Sequence, residues 1–412
     1  MSDSAARGTR LLSEVLSSQD PYPIYEELRE LDEGVHWSEE FQGWFPSRAA
    51  DLRRIGENSK VYSGDLSDPK GTLNRYDPSD PRQNDYGEIS SRFLFFLEPP
   101  EHTVVRSALR HAFTPRAMLG WRTVVERIVD GLLAEFSHGD ETDFVETLST
   151  KIPIEVICTI LGVPSEDFPM FVAMTDAVML TLDPAIQGEK RVEVLYRAAE
   201  MVDYMNELAD LRQKDPKDDL ISQIVNTPVQ DGKPLDRKTA VSQAVILLVA
   251  GNDTTNSLLG NTMGILLDRP ELQRRVAEDL SLVSPLIEES LRYAPPFQFE
   301  TRKATQDHIL GGREIKAGDA FFPLIAAANR DPREFDNPLE FDIDRENKRH
   351  LSFSHGIHFC VGAPLARMEG IVGMTKVLER FPHICDGSAP RRPRVDNINA
   401  RGWKNLPVAL HE

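Results

Sequence analysis

The segment from Asp236 to Leu267 constrains the fold more than any other part of the chain. It is rich in apolar residues, including the run AVILLVAG, and its pattern is helical on both sides of that run. As one helix it would contain roughly 32 residues and be ~48 Å long at the standard rise per residue. A helix of that length would cross the whole protein, so we predict a long central helix.

The other periodic segments are also mainly helical, and strand patterns are few and short. EHTVVRSALRHAFTPRAM, WRTVVERIVDGLLAEF and KIPIEVICTILGVP are amphipathic or apolar segments closed by Gly or Pro. Strands are expected in WSEEFQGWFP, in LPVALHE and between Phe299 and Asn329, with a hairpin at Gly311–Gly312. A polar stretch from Asp65 to Ser90 is predicted to be a long surface loop. Because no repeat or linker interrupts the chain, we expect one domain over residues 1–412, mainly α with a small β portion.

Composition excludes several classes of function. The 412 residues include 47 Lys and Arg against 66 Asp and Glu, for a formal net charge of −19. Such a chain is poorly suited to nucleic acid or to an anionic membrane surface, both of which attract cationic proteins. The N-terminal segment lacks the apolar core of a signal peptide, and the longest apolar run is about eight residues, far below the ~20 that span a bilayer. The three cysteines form no disulfide framework or CxxC pattern, so we expect a soluble cytoplasmic protein.

Cys360 lies in an unusual setting, the stretch LSFSHGIHFCVGAP. The nearby glycines allow the backbone to approach a flat ligand closely. The helix predicted over APLARMEGIVGMTKVLERF begins just beyond the sulfur, and the positive end of a helix stabilises a thiolate. A thiolate is a ligand for soft or redox-active metals. A lone cysteine is more often a buried apolar thiol, however, so the cysteine alone does not decide between the two interpretations.

The full spacing around this cysteine resembles the haem-binding loop of the cytochrome P450 family. The pattern is Phe353-x-x-Gly356-x-His358-x-Cys360-x-Gly362. The resemblance implies that Cys360 is the axial thiolate ligand of the iron of haem b. It also implies that Phe353 packs beside the sulfur and that His358 hydrogen-bonds a haem propionate. No CxxCH run for a c-type haem is present.

Two positions of this loop depart from the family's pattern. Ser354 stands where glycine is frequent, and Val361 stands where leucine is frequent. Neither change removes a ligand of the predicted haem site.

A second motif, AGNDTTNS, interrupts the apolar run of the predicted central helix. Gly and Thr are poor helix formers and a carboxylate in an apolar helix is costly, so a polar face or a mild kink is one interpretation. The stretch also resembles the family's oxygen-activating motif. By that resemblance Asp253 and Thr254 guide protons to dioxygen, while Ala250 and Gly251 leave room for the ligand.

Further segments match the family in the expected order. Glu289 and Arg292 form a Glu-x-x-Arg pattern, which is common by chance, but they precede YAPP and are followed by Arg345 in FDIDR. The resemblance implies that these three residues form a structural ion-pair triad behind the cysteine loop.

Three basic residues match the family's propionate contacts. His102 and Arg106 lie four residues apart, on one face of a predicted helix, and Arg302 follows in FETRKATQD. Glu98 stands where aspartate is commoner. For any one of these basic residues alone, a solvated surface charge is the more common interpretation.

The resemblance implies a haem-thiolate monooxygenase that inserts one oxygen atom from O2 into a small, mainly hydrophobic substrate. By the same resemblance, substrate contacts are expected from Leu247, Ala250, Phe297, Gln298, Phe299 and parts of the ranges 65–96, 168–202 and 397–400. The chain has no GxGxxG loop and no extra length for a flavin domain. An external ferredoxin or flavodoxin with its reductase is therefore implied, acting on a monomer. The candidate docking cations are Arg110, His111, Arg116 and Arg367.

Three other functions on the same fold remain open at this point. A peroxygenase uses hydrogen peroxide directly and usually lacks the acid–alcohol pair. A reductase or isomerase would also tend to alter that pair. A haem-thiolate sensor or carrier would need neither the pair nor a substrate pocket. Asp253 and Thr254 favour the monooxygenase over all three.

Overall fold

The computed structural model describes residues 3–15, 18–65, 76–183, 185–229, 232–395 and 399–412. Its helices are α1 Asp3–Val15, α2 Tyr22–Glu30, α3 Ala49–Glu57, α4 Pro81–Ser90, α5 Glu101–Arg110, α6 Pro115–Leu133, α7 Lys151–Leu161, α8 Phe168–Thr181, α9 Gly188–Lys214, α10 Leu220–Asn226, α11 Arg237–Leu267, α12 Pro270–Glu278, α13 Val283–Tyr293, α14 Ile325–Ala328 and α15 Ala363–Arg380. The described strands are β1 Val35–Ser38, β2 Gly43–Pro46, β3 Tyr62–Ser63, β4 Glu141–Asp143, β5 Arg302–Ala304, β6 His308–Leu310, β7 Arg313–Ile315, β8 Ala320–Phe321, β9 His383–Asp386, β10 Arg392–Pro393, β11 Trp403–Asn405 and β12 Pro407–His411. The fold is mainly α with a small β portion, as predicted.

The predicted central helix is α11, a single helix of 31 residues. It begins directly after Asp236, whose side chain accepts a hydrogen bond from the backbone N–H of Thr239 at 3.1 Å and so caps the helix. The helix contacts α7, α8, α9, α13 and α15. Most of its side chains are buried on every face, as expected for a helix in the middle of a core. Within the described part of the chain, every helix is too short or too polar to span a bilayer.

The β portion consists of small sheets at the edge of the helical core. The largest has the strand order β1-β2-β8-β5-β3, in which β2 and β8 run parallel and the other pairs are antiparallel. The strands β9 and β4 flank β12, near the C-terminus. The predicted hairpin is formed by β6 and β7, and Gly311 and Gly312 both adopt positive φ angles in its turn.

The predicted surface loop between Asp65 and Ser90 is partly wrong. Residues 81–90 form α4 instead of a loop. Asp80 caps this helix by accepting hydrogen bonds from the N–H groups of Arg82 and Gln83, and Pro81 occupies its first turn. These start signals were present in the sequence, but the polar composition of the stretch obscured them. Residues 66–75 lie outside the described residues.

A buried ion-pair triad joins α13 to the chain that leads into the cysteine loop. The guanidinium of Arg292 donates to both carboxylate oxygens of Glu289, at 2.8 and 2.7 Å, and the Nε of Arg345 lies 3.3 Å from Glu289 Oε1. Arg292 also donates to the backbone carbonyls of Asn329, Pro338 and Glu340. Because these bonds satisfy the buried charges, the triad fixes the backbone ahead of the loop.

The cysteine loop is also held from its other side, by direct backbone contact with α3. Gly356 has φ +73°, and a Cβ built there would lie 1.9 Å from the carbonyl oxygen of Gly56. A Cβ on Gly56 would in turn lie 2.8 Å from the carbonyl oxygen of His355. No side chain fits between the two segments. The two glycines are therefore what allows α3 and the cysteine loop to approach so closely.

We predict that Gly356→Ala destabilises the protein far more than Gly312→Ala. The two glycines have nearly the same φ, +73° and +72°, but nothing lies within 4 Å of a Cβ at Gly312. Gly312→Ala should therefore cost about 1 kcal/mol for the backbone angle alone. Gly356→Ala must also push α3 away from the loop. Its loss in the free energy of unfolding should therefore be at least about 2 kcal/mol larger, as is typical of substitutions that overpack a core.

Urea unfolding of the purified variants, compared with the wild-type protein, measures both losses. Equal losses for the two variants would show that the contact between α3 and the cysteine loop is unimportant.

Candidate active site

A deep cavity lies between α11 and the cysteine loop. One face of α11 forms a stripe along its wall, with residues spaced three or four apart as one helical face requires. The stripe consists of Gln243, Ile246, Leu247, Ala250, Gly251, Thr254, Thr255 and Leu258. The opposite wall includes Phe353, Ser354, His358, Cys360, Val361, Gly362 and Leu365. The structure therefore brings the cysteine and the acid–alcohol helix to the two sides of one cleft.

The sulfur of Cys360 is held at the start of α15. Its backbone N–H donates to the carbonyl of Phe353 at 2.8 Å, which closes the loop. Burial raises the pKa of the Cys360 thiol, although the backbone N–H groups of Gly362 and Ala363 oppose this by donating to the sulfur. A cation bound at the sulfur would remove the cost of the buried negative charge. The site is thus suited to a thiolate that is ligated to a metal.

The backbone conformation at Ser354 explains why glycine is frequent at this position in the family's pattern. It adopts φ +63°, a left-handed conformation that glycine adopts without strain. The serine maintains the same backbone path at some conformational cost.

Phe353 is buried and is covered by Arg367, whose guanidinium carbon lies 4.4 Å from the ring centroid. Arg367 also donates to Glu288 at 2.6 Å. Burial raises the pKa of Glu288, but His350 and Arg367 outweigh it and lower that pKa to about 2. Arg367 is therefore paired within the fold, and it is not a free cation for a docking partner.

Four basic side chains gather at one edge of the cavity without enough acceptors. The imidazoles of His102 and His358 are both buried, with ring centroids 4.8 Å apart. His102 Nε2 and both ring nitrogens of His358 have no hydrogen-bond partner among the described residues. Burial, helped by the His358 and Arg106 charges, lowers the pKa of His102 to about 4, and burial likewise lowers the pKa of His358. Arg302 lies in the cavity wall beside them.

These groups fit the carboxylates of a haem. Arg106 donates to the carbonyl of Phe359 at 2.8 Å, and Arg302 pairs with Glu300 at 2.7 Å. Each of these imidazoles can present a ring N–H among its unpartnered nitrogens, and a propionate would accept a hydrogen bond from it. A soft thiolate in one wall and carboxylate-binding groups at the edge are the donor set that an iron porphyrin needs.

Glu98 stands near this cluster and orients it. Its Oε1 accepts from the N–H of Gly64 at 2.6 Å and from the hydroxyl of Ser63 at 3.2 Å, and it lies 3.6 Å from His358 Nε2. Burial raises the pKa of Glu98, but these contacts outweigh it, so the net shift of that pKa is downward.

Thr254 and Asp253 lie in different environments. The Thr254 hydroxyl donates to the carbonyl of Ala250 at 2.6 Å, and the residue lies in the cavity wall. Asp253 is buried outside that wall, and its Oδ1 accepts from Arg394 at 2.5 Å. Its Oδ2 has no partner among the described residues. The carboxylate therefore faces the C-terminal segment and would have to turn to reach the cavity.

Ala250 and Gly251 also have different surroundings. Ala250 is exposed to the cavity, whereas a Cβ on Gly251 would lie 3.2 Å from the side chain of Ile157 in α7. The small residue at Ala250 leaves space for a ligand. Gly251 instead permits the close packing of α11 on α7.

Four of the five expected substrate-contact residues, Leu247, Ala250, Phe297 and Phe299, line the cavity. The prediction that Gln298 contacts the substrate is not supported, because this residue is fully buried and does not line the cavity. Its amide nitrogen donates to the carbonyl of Pro295 at 2.8 Å, and its oxygen accepts from the Tyr25 hydroxyl at 3.3 Å. The broader expected regions contribute Leu94, Phe95, Phe96, Met179, Leu182 and Asn399 to the wall. Asn397 lies outside the described residues.

The expected docking cations Arg110, His111 and Arg116 follow one another closely in the chain. Arg110 and Arg116 are exposed, at the end of α5 and the start of α6. The side chain of His111 lies outside the described residues. Phe359, the residue before the cysteine, is 40% exposed.

Sequence reasoning missed two titratable residues at this site. Arg394 follows β10, and it reaches Asp253 across 141 positions of the chain. Glu369 lies in the cavity wall on α15, is 1% exposed, and its Oε2 has no partner among the described residues. Burial raises the pKa of Glu369 well above its ordinary value, so this carboxyl is neutral. An acid between the apolar positions of α15 was the available signal for Glu369, whereas no motif marks Arg394.

The family model for cytochrome P450 matches residues 54–400 of this chain. The chain belongs to the cytochrome P450 family. It is accordingly an oxidoreductase, a haem-thiolate monooxygenase with haem b as its cofactor, which acts on a small molecule and receives electrons from a redox partner.

Individual members of the family are similar to this chain over almost its full length. The polyketide biosynthesis cytochrome P450 PksS of Bacillus subtilis (strain 168) is 32% identical over 400 residues, which cover 95% of this chain and 96% of PksS. The crystal structure of P450BioI in complex with hexadec-9Z-enoic acid ligated acyl carrier protein has a TM-score of 0.87 and 28% identity, covering 97% of this chain and 100% of the other. The structure of CYP109E1 from Bacillus megaterium with testosterone has a TM-score of 0.80 and 31% identity, covering 95% and 100%.

We predict that Glu369→Gln changes how stability depends on pH. Above about pH 4.5, the ordinary pKa of glutamate, the unfolded chain releases this proton while the folded protein keeps it. The free energy of unfolding of the wild-type protein should therefore fall as pH rises, and the variant should lack this contribution. The stability difference should be smallest near about pH 4 and should grow in favour of Glu369→Gln toward about pH 8.

Urea unfolding across this pH range measures the difference. Glu379→Gln, on an exposed position of the same helix, is the control and should leave the pH dependence unchanged. Parallel curves for the wild-type protein and Glu369→Gln would contradict a neutral buried acid at this position.

Proposed function

We propose that this enzyme oxidises an elongated, mainly apolar small molecule that lies along the wall stripe of α11. The observation that carries the proposal is the stripe itself, whose apolar side chains run past Ala250 and face the Cys360 side of the cleft. Leu247, Phe297 and Phe299 are the proposed substrate contacts. Burial of an apolar substrate against them supplies the binding free energy.

Relatives support this substrate class. The solved structures named above hold testosterone in one case and a hexadec-9Z-enoic acid ligated carrier protein in the other. Both ligands present a long apolar body. The walls contributed by Leu94, Phe95, Met179 and Leu182 suit a body of that kind.

The haem, when bound, supplies the reductive activation of O2 and the transfer of one oxygen atom to the substrate. The chain's own residues hold and orient it. We assign Cys360 as the iron ligand, with Phe353, Gly356 and Gly362 shaping the loop around it. We assign His102, Arg106, Arg302 and His358 to the propionates, where the unpartnered imidazole nitrogens support the assignment.

We assign proton delivery to Thr254 and Asp253. The Thr254 hydroxyl lies in the α11 side of the cavity wall, where it can hand a proton to oxygen or hold a water in place. Asp253 connects that hydroxyl to groups outside the cavity, and it must exchange Arg394 for Thr254 or a water in order to do so. A hydroxyl at this place in the wall favours monooxygenation over direct use of hydrogen peroxide.

We propose a ferredoxin or a flavodoxin with its reductase as the electron donor. The exposed Arg110 and Arg116 offer positive charge to an acidic carrier, and the exposed Phe359 lies next to Cys360 in the chain. We further propose a monomeric, single-domain enzyme. We place it in the cytoplasm because all three of its cysteines are free, as is usual in a reducing compartment.

The first test is Cys360→Ser. We expect the wild-type protein, loaded with haem and reduced under carbon monoxide, to give the absorption spectrum of a thiolate-ligated haem, and we expect Cys360→Ser to lose it. Cys385→Ser, in strand β9, is the matched control and should keep the spectrum. A variant Cys360→Ser with an unchanged spectrum would refute the ligand assignment.

The second test is Thr254→Ala. With a ferredoxin or flavodoxin system and a bound substrate, electron consumption should continue while product per electron pair falls roughly tenfold or more, and hydrogen peroxide should accumulate. Thr262→Ala is the control, because Thr262 makes the same hydroxyl bond to the carbonyl four residues back, Leu258, but lies outside the cavity wall.

Product and peroxide are measured together against NADPH consumed. If Thr254→Ala and Thr262→Ala couple equally well, Thr254 has no part in proton delivery.

A further inference from the structure

The wall stripe of α11 contains one amide, Gln243, at the end nearest the N-terminus of the helix. We propose that Gln243 is a specificity residue whose carbonyl oxygen accepts a hydrogen bond from a hydroxyl group of the substrate. The preferred substrate is then an elongated apolar alcohol whose hydroxyl lies at the end remote from Thr254. This inference rests on the proposed function, since it names the substrate class of the same cavity.

The orientation of the amide is determined by its partner. Gln243 is 0% exposed, and its Nε2 donates to the backbone carbonyl of Arg92 at 2.7 Å. A carbonyl oxygen only accepts hydrogen bonds, so the nitrogen of the amide must face it. The Oε1 is thereby turned away from Arg92, and it has no partner among the described residues.

The neighbouring donors are already engaged. The guanidinium of Arg92 donates to the hydroxyl of Thr239 at 3.0 Å and lies 3.6 Å from Asp236. One turn further along the stripe, Ile246 and Leu247 are apolar. A buried carbonyl without a donor lowers stability, and a leucine at this position would avoid that loss. A bound ligand with a hydrogen-bond donor would satisfy this carbonyl and offset the loss of stability.

Helical spacing sets the length of the substrate. Gln243 lies seven positions before Ala250 and eleven before Thr254, which corresponds to about 10 and 16 Å along the axis. A substrate that reaches from the reacting end to Gln243 must therefore span roughly this distance. A shorter alcohol would leave one of the two ends unfilled.

The chemistry of the acceptor disfavours head groups that cannot donate a hydrogen bond or that carry a negative charge. An ether or ketone has no hydrogen to donate, and an ionised carboxylate would place a negative charge against the carbonyl oxygen. Among long apolar molecules, the site should therefore select alcohols over ketones, ethers and free fatty acids.

The test compares 1-decanol with 1-methoxydecane, its methyl ether, on the haem-loaded enzyme. Equilibrium dialysis measures the dissociation constant of each without any turnover. We expect the alcohol to bind about threefold to tenfold more tightly, as one added hydrogen bond allows. Gln243→Leu and Gln243→Met should both abolish this preference while retaining the ether. Two variants are used so that a folding defect in one does not decide the result.

Ile246→Val is the matched control, one turn along the same face. It removes one methyl group from the wall, so it should weaken both probes alike and leave the preference unchanged.

The inference is overturned if the wild-type enzyme does not favour the alcohol, including the case in which neither probe binds. It is also overturned if the preference survives in both Gln243 variants. Failure of the proposed function is separate, because it would appear as a missing thiolate spectrum or as absent turnover with every electron donor.

Discussion

The burial of the Cys360 sulfur is the constraint on which the rest of the structure depends. Burial disfavours the thiolate, and two backbone N–H groups at the start of α15 offset this only in part. In the ligation that we propose, the iron of a haem would supply the missing positive charge. The surrounding structure fixes the position of the sulfur. The ion pairs of Glu289 hold the chain ahead of the loop, and α3 presses on the loop from the opposite side.

Those parts of the fold that depend on local sequence could be predicted. The extent of α11 follows from a helical pattern that continues on both sides of its apolar run, and the hairpin at Gly311–Gly312 follows from its turn residues. The cysteine loop is a contiguous motif, so its residues were identified together. Contacts between distant segments were not accessible in this way. Nothing in the sequence near Asp253 indicates Arg394, and the direction of the Gln298 side chain depends on Tyr25, 273 positions away.

The two sides of the cavity differ in where their ionisable groups lie and in which partners they have. On the cysteine side, burial lowers the pKa values of His102 and His358, and their unpartnered ring nitrogens are the groups that we propose the anionic groups of the cofactor to bind. On the α11 side, the carboxylate of Asp253 is kept out of the wall and paired with Arg394. This arrangement separates the residues that hold the cofactor from those proposed to supply protons. It also leaves the centre of the cavity apolar, where a substrate can displace water without breaking ion pairs.

The backbone contact between Gly56 and Gly356 has a consequence for how this loop can change over evolutionary time. Most packing defects are repaired by a smaller residue on the opposite side of the contact. Here both partners are already the smallest residue, and a Cβ on either one would strike the backbone of the other segment. No compensating substitution exists. Gly56 and Gly356 can therefore be replaced only if the whole approach of α3 to the cysteine loop is rebuilt.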